Sequence, residues 1–178
     1  MTHQQKVLVI GGCGRIGNSV AQDIARHTDA EVTITSRQDR QQVDSDLAGR
    51  ASDLKFLILD LANKERVINA IASTDLVVHC AGPFHHRDGR VLEACIEAGV
   101  NYVDVSDHRS FYERVIKHQE KAIANNVTAI LNTGIFPGIS NSMVKQGVEK
   151  FDRLEKIHLS YVVAGSGGAG LTVMRTTF

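Results

Sequence analysis

Short apolar runs rich in β-branched residues alternate with stretches of helical spacing along most of this chain, and that order leaves few folds open. The runs lie at residues 6–10, 31–35, 54–60, 75–81, 101–105 and 127–132, each bounded by Gly, Asn, Asp or Ser. Between them, apolar residues recur at helical spacing: Ile16, Val20 and Ile24; Val67, Ala70 and Ile71; Val91, Leu92, Cys95 and Ile96; Val115, Ala122 and Ile123. Adjacent parallel strands need a long crossover and a helix fills it. The alternation therefore predicts a parallel sheet with helices on both faces, doubled around the first strand. Gly99 is placed to stop the helix around Val91, and Ser110 with Glu113 reads as a capping box for the next one. Residues 39–50 are polar and read either as a surface helix or as a loop.

With 178 residues, 43% of them hydrophobic, the chain can bury one sizeable core. The pattern changes after Phe151: residues 154–164 read as a further strand, and residues 165–170 are the glycine cluster GSGGAG. The expected division is a first domain over residues 1–150 and the start of a second α/β domain over 151–178, in a chain truncated within that second domain. Twenty Lys and Arg balance twenty Asp and Glu, so no net field draws the protein to nucleic acid or to an anionic membrane. A small-molecule substrate is the expected partner. Cys13, Cys80 and Cys95 form no CxxC pair, which argues against a disulfide framework or a zinc site. The polar start and the lack of a long apolar run argue against a signal peptide or membrane anchor, and a cytoplasmic location is expected.

The first strand runs directly into Gly12-x-Gly14-x-x-Gly17 and then into an amphipathic helix, in the segment KVLVIGGCGRIGNSV. Here the first glycine is expected to permit the tight turn, the second to let the backbone approach a pyrophosphate, and the third to let helix and strand pack closely. The helix start adds unpaired N–H groups and the positive end of its dipole. The first domain is thus read as a Rossmann domain for a nicotinamide dinucleotide, with Gly11, Gly12, Cys13, Gly14, Arg15, Ile16 and Gly17 around the phosphates. At the end of the second strand an Asp or Glu would hold the ribose 2′-hydroxyl of NAD, whereas this chain has Thr35, Ser36 and Arg37. A hydroxyl and a guanidinium suit a 2′-phosphate, so NADP is expected over NAD, with Arg40 as a further candidate. Asp60 and Leu61 follow the third strand and read as adenine contacts, or Asp60 as a cap for the helix near Asn63. Ala81, Gly82, Pro83 and Phe84 end the fourth strand with small residues and a rigid turn, where the dinucleotide crosses the sheet.

Four blocks, DLVVHCAGPF, VLEACIEAGVNYVDVSD, TGIFPGISN and GSGGAG, carry a resemblance to the saccharopine dehydrogenase-like oxidoreductases, especially their cyanobacterial and plant-type branch. The resemblance implies a Rossmann domain followed by a larger α/β substrate domain in a longer chain. It also implies NADP-linked hydride transfer that reduces an imine or oxidises a secondary amine. A homodimer through the second domain is the expected assembly. One position departs: saccharopine-forming members carry an acidic residue before a Pro-Gly turn, where this chain has Ile135-Phe136-Pro137-Gly138. A carboxylate for the substrate ammonium is missing there, which tells against saccharopine itself. The AGPF and YVDVSD blocks are also similar to those of trans-acting enoyl reductases, so C=C reduction is the alternative chemistry. A non-catalytic NADP-binding module is a further alternative.

The carboxyl end of the fifth strand is expected to face the nicotinamide, which makes Asp107 the first candidate for proton transfer and His108 the second. The alternative is that Ser106 or Asp107 caps a helix. His85 and His86 lack a second ligand pair at zinc-like spacing and read as a polar loop near the cofactor, with no metal expected. His79, inside an apolar strand, reads as a core histidine. Short-chain reductases and epimerases share the glycine turn but use Tyr-x-x-x-Lys. Four residues after Tyr102, Tyr112 and Tyr161 stand Ser106, Ile116 and Gly165, so that pair is absent.

Overall fold

A strand can be apolar at successive positions only if both faces of its sheet are covered, and β1 (Lys6–Ile10) meets that condition. Val7 and Val9 enter one core and Leu8 and Ile10 the other, all four buried. The computed structural model describes residues 3–39 and 54–160. The other strands are β2 (Glu31–Ser36), β3 (Lys55–Ile58), β4 (Leu76–His79), β5 (Asn101–Asp104) and β6 (Ala129–Ile130). They order as β3-β2-β1-β4-β5-β6 with every pair parallel, the doubly wound α/β arrangement expected from the alternation.

Among the described residues the helices are α1 (Arg15–His27), α2 (Lys64–Ala72), α3 (Arg90–Ala98), α4 (Arg109–Val115), α5 (Gln119–Ala124) and α6 (Ile139–Val148). On one face of the sheet Val7, Val9, Val32, Ile34 and Val78 pack with Ala21 of α1. On the other, Leu8, Ile10, Val77 and Tyr102 pack with Val67 and Ile71 of α2, Val91, Leu92 and Cys95 of α3, and Phe111 of α4. Each such large apolar side chain contributes about 1.5–3 kcal/mol by leaving water. Gly99 ends α3 as expected, at a left-handed φ of 70° that brings its N–H to the Cys95 and Ile96 carbonyls.

Several expectations change. The capping box at Ser110 and Glu113 does not form, because α4 begins before Ser110 and is capped by His108, whose ring accepts from the Ser110 N–H. Ser110 then serves Arg114, and Glu113 pairs with Arg109. Over residues 154–160 the expected further strand is absent: the segment is exposed and has no ladder partner among the described residues, which a strand requires. Residues 161–164, the GSGGAG cluster and Arg40 lie outside the described residues, as do residues 40–50 of the polar stretch. Helix α6 was not legible, since it presents Ile139 and Met143 to solvent, 60% and 65% exposed, instead of burying an apolar stripe.

Candidate dinucleotide site

The carboxyl ends of β1, β2 and β4 converge on the glycine turn. The Gly11 N–H donates to Thr35 Oγ1 of β2 at 3.1 Å, which ties the turn to the neighbouring strand and makes buried Thr35 a positioning residue. Gly12 N–H returns to the Val9 carbonyl at 3.1 Å and Gly14 N–H to the Gly11 carbonyl at 2.9 Å. The left-handed residue is Gly11, at φ 77°, so the tight turn belongs to it and not to the first motif glycine. Gly12 instead solves a packing problem: a Cβ there would stand 2.5 Å from Ile34 Cβ. Gly17 lies against the backbone of Gly11 and Gly12, where any Cβ would drive α1 off the strand, in keeping with its expected packing role. Gly14 is the exposed N-cap of α1, with no side-chain cap and no acidic residue in the first turn. The N–H groups and positive dipole of that helix start are therefore open to an anion. Arg15 and Ile16 are exposed beside it, and Cys13 packs at the margin of the α1 core.

On the β2 side, Ser36 Oγ accepts the Gln38 N–H at 3.1 Å and Arg37 is exposed. After β3, the Asp60 carboxylate accepts the Ala62 N–H at 2.9 Å and its carbonyl accepts the Asn63 N–H at 3.0 Å. The helix cap itself is Asn63, which accepts the Arg66 N–H at 3.1 Å, so Asp60 shapes the turn leading to the cap. Leu61 is buried, and its carbonyl accepts from Arg90 at 3.3 Å.

The turn after β4 is braced from beneath. Ala81 abuts Gly11, and the cis Gly82–Pro83 peptide leads into a 3₁₀ turn at Phe84–His86. Phe84 is 5% exposed, its ring edge-on to His79 and Phe111 at centroid distances of 5.0 and 5.1 Å. Of the four residues expected to meet the ligand here, Phe84 thus turns its ring into the core. Arg114 of α4 staples the turn, donating to the carbonyls of Phe84, His85 and Arg87 at 3.0 Å each. Nothing in the sequence pattern marked Arg114, because its partners lie 27 to 30 residues away. Arg87 folds back on the same turn, with Nε donating to the Ala81 carbonyl at 3.0 Å and Nη2 to that of Gly82 at 3.3 Å.

At the β5 end, Asp107 and His108 are exposed, while Ser106 is buried with its hydroxyl accepting the His108 N–H at 3.4 Å; the cap of α4 is His108, not Ser106 or Asp107. The His108 and His85 ring centroids lie 5.5 Å apart, and the His85 and His86 rings meet at 3.7 Å with their planes tilted by 49°. Partial desolvation, with His86 and His108 beside it, holds His85 below the ordinary imidazole pKa. Because His108 Nδ1 accepts the Ser110 N–H, the neutral ring carries its proton on Nε2. Among the described residues no set of three His, Cys, Asp or Glu is arranged to hold a metal ion, and no helix is long and apolar enough to cross a membrane.

Beneath this edge lies a polar network that the sequence reading did not single out beyond His79. His79 Nδ1 meets the Tyr102 hydroxyl at 3.0 Å. Asp104, fully buried, accepts the Ser106 and Asn132 N–H groups on Oδ1 at 2.9 Å each, and its carbonyl accepts the Thr133 hydroxyl at 2.6 Å. Burial, with Arg87 nearby, lowers the His79 pKa to about 3. Burial also raises the Asp104 carboxyl, against the pull of the Asn132 and Ser106 N–H groups, and burial with Asp104 nearby pushes the Cys80 thiol up to about 12. His79 and Cys80 are thereby held neutral near pH 7, and with Asp104 they shape the floor of the site.

The chain is similar to saccharopine dehydrogenase-like oxidoreductases of Homo sapiens, 30% identical over 144 residues, and Rattus norvegicus, 29% over 145. Each match covers 72% of this chain and 34% of the relative, so the chain spans about a third of the curated relatives it matches. In fold it resembles the L-Glu-forming saccharopine dehydrogenase of Saccharomyces cerevisiae, with a TM-score of 0.69 at 19% identity over 82% of this chain and 31% of that one. The model of the saccharopine dehydrogenase NADP binding domain matches residues 7–130, from β1 through the glycine turn to the end of β6. Through that domain the chain belongs to the saccharopine dehydrogenase family.

Proposed function

We propose that this chain is the cofactor half of an oxidoreductase that moves hydride between NADP(H) and a carbon–nitrogen bond. The observation that supports it most is the start of α1, bared by Gly14 and flanked by Ser36 and Arg37 at the end of β2. The cofactor supplies the hydride; the protein's part is to orient it and to manage one proton. Ser36 and Arg37 hold the 2′-phosphate, the α1 N–H groups the pyrophosphate, and Asp60 the adenine. Asp107 and His108 are the groups placed to exchange a proton with the substrate nitrogen. The similarity to saccharopine dehydrogenase-like oxidoreductases supports this reading.

Titrating the chain with NADP+ and NAD+ by calorimetry tests the cofactor assignment. Arg37→Asp is expected to invert the preference, by about tenfold or more in the ratio of dissociation constants; an unchanged ratio overturns the role of Arg37. The bond class is tested on a protein carrying a complete substrate domain, by NADPH oxidation with amine and carbonyl pairs beside enoyl substrates. Turnover with enoyl substrates alone would replace the carbon–nitrogen assignment.

A further inference from the structure

Arg87 is a half-buried cation held by backbone carbonyls and not by an ion pair among the described residues. Asp88, its neighbour in sequence, is engaged by Arg90, and among the described residues no carboxylate forms an ion pair with Arg87. Its side chain is nonetheless fixed, because the two bonds to the Ala81 and Gly82 carbonyls occupy the side-on edge of the guanidinium. The end-on pair of Nη1–H and Nη2–H stays open, which is the geometry that grips two oxygens of a phosphate. Its own carbonyl is pinned by Arg114 at 3.0 Å, so backbone and side chain are both positioned before any ligand arrives. Desolvation, and then Arg37 as a like charge, lower the Arg87 pKa against the partial pull of Asp88 and Asp60, so the arginines after β2 and β4 sense each other. A fixed, partly desolvated cation beside a second cation is a standing cost unless an anion joins them.

The position says which anion. β2 and β4 flank β1 on its two sides, and the β1 turn is wedged between them, with Gly11 bonded to Thr35 and in contact with Ala81. A dinucleotide lying across that turn passes between Arg37 on one side and Arg87 on the other. We propose that Arg87 is a specificity-determining residue that closes with Arg37 on the 2′-phosphate monoester of the adenosine ribose. The inference rests on the dinucleotide reading above and deepens it. The pyrophosphate, common to both cofactors, is left to the α1 N–H groups, so Arg87 discriminates between NADP and NAD.

The test uses the full chain and four probes: NADP+, NAD+, 2′,5′-ADP and ADP. Arg87→Gln is expected to weaken NADP+ and 2′,5′-ADP about tenfold or more and to leave NAD+ and ADP within about twofold. Arg87→Lys, which keeps the charge but loses the fork, recovers part of the loss. In the unmodified chain the Arg87 Nε–H resonance shifts with 2′,5′-ADP and not with ADP, a readout that needs no variant to fold. Equal weakening of all four probes, or no weakening, overturns the proposal, as does a resonance indifferent to the 2′-phosphate. If the unmodified chain binds neither dinucleotide, the cofactor reading falls and this inference with it. Binding that depends on Arg37 but not on Arg87 leaves the cofactor reading standing and removes this inference alone.

Discussion

Gly12 and His79 show how single residues are fixed by what surrounds them. A methyl at Gly12 would meet Ile34 Cβ at 2.5 Å, too close for a side-chain adjustment to absorb, since the clash is at the base of Ile34. Gly12→Ala is expected to destabilise the chain by about 1–3 kcal/mol in urea unfolding, with β1 and β2 forced apart. His79 is 1% exposed and its folded pKa is lowered from 6.5 to about 3. A lowered histidine refuses a proton that the unfolded chain accepts. Its contribution is therefore full above about pH 6.5 and declines as pH falls through the window down to about 3. From this group alone, stability should fall by roughly 2 kcal/mol between pH 6.5 and 5. Comparing urea midpoints at those pH values in the native chain and in His79→Gln isolates it: the variant should lose less on acidification, and parallel losses would refute the assignment.

At the scale of elements, the turn after β4 depends on a helix that comes later in the chain. Arg114 of α4 gives four bonds near 3.0 Å, three of them to carbonyls of the turn that carries Arg87. Arg114→Met keeps the stem but strands those carbonyls, at a cost of about 2–4 kcal/mol by thermal or urea unfolding. Cofactor affinity is expected to fall with it, because the turn would no longer hold its shape; wild-type stability in the methionine variant would show that the staple is dispensable. The cap of α4 carries a related lesson. The pattern Ser-x-x-Glu is a sound local signal for a helix start, yet the chain enters α4 earlier and the His108 ring takes the cap. The cap of α4 thus falls on the imidazole proposed for proton exchange, which the sequence spacing did not disclose.

Across the whole molecule, stability is concentrated at the middle of the sheet. β1 and β4 are covered on both faces, whereas β6 is a two-residue edge strand with Ile130 half exposed. Hydrogen exchange should therefore be slowest at Val9 and Val77 and fastest in β6; uniform protection across the sheet would contradict a core centred on β1 and β4. The sequence by itself determined the order of the elements through β6, the parallel sheet doubled around β1, the glycine turn and the residues at the ends of β2 and β4. All of these are written in local periodicity and in glycine placement, which need no knowledge of distant neighbours. Only the tertiary structure decided that Phe84 turns inward, that His108 caps α4, that His79, Tyr102 and Asp104 form a buried floor, and that Arg87 and Arg114 meet at one turn. Those outcomes depend on which loops the strand order brings side by side, and a side chain's partners across 27 or 30 residues of chain leave no periodic trace along it.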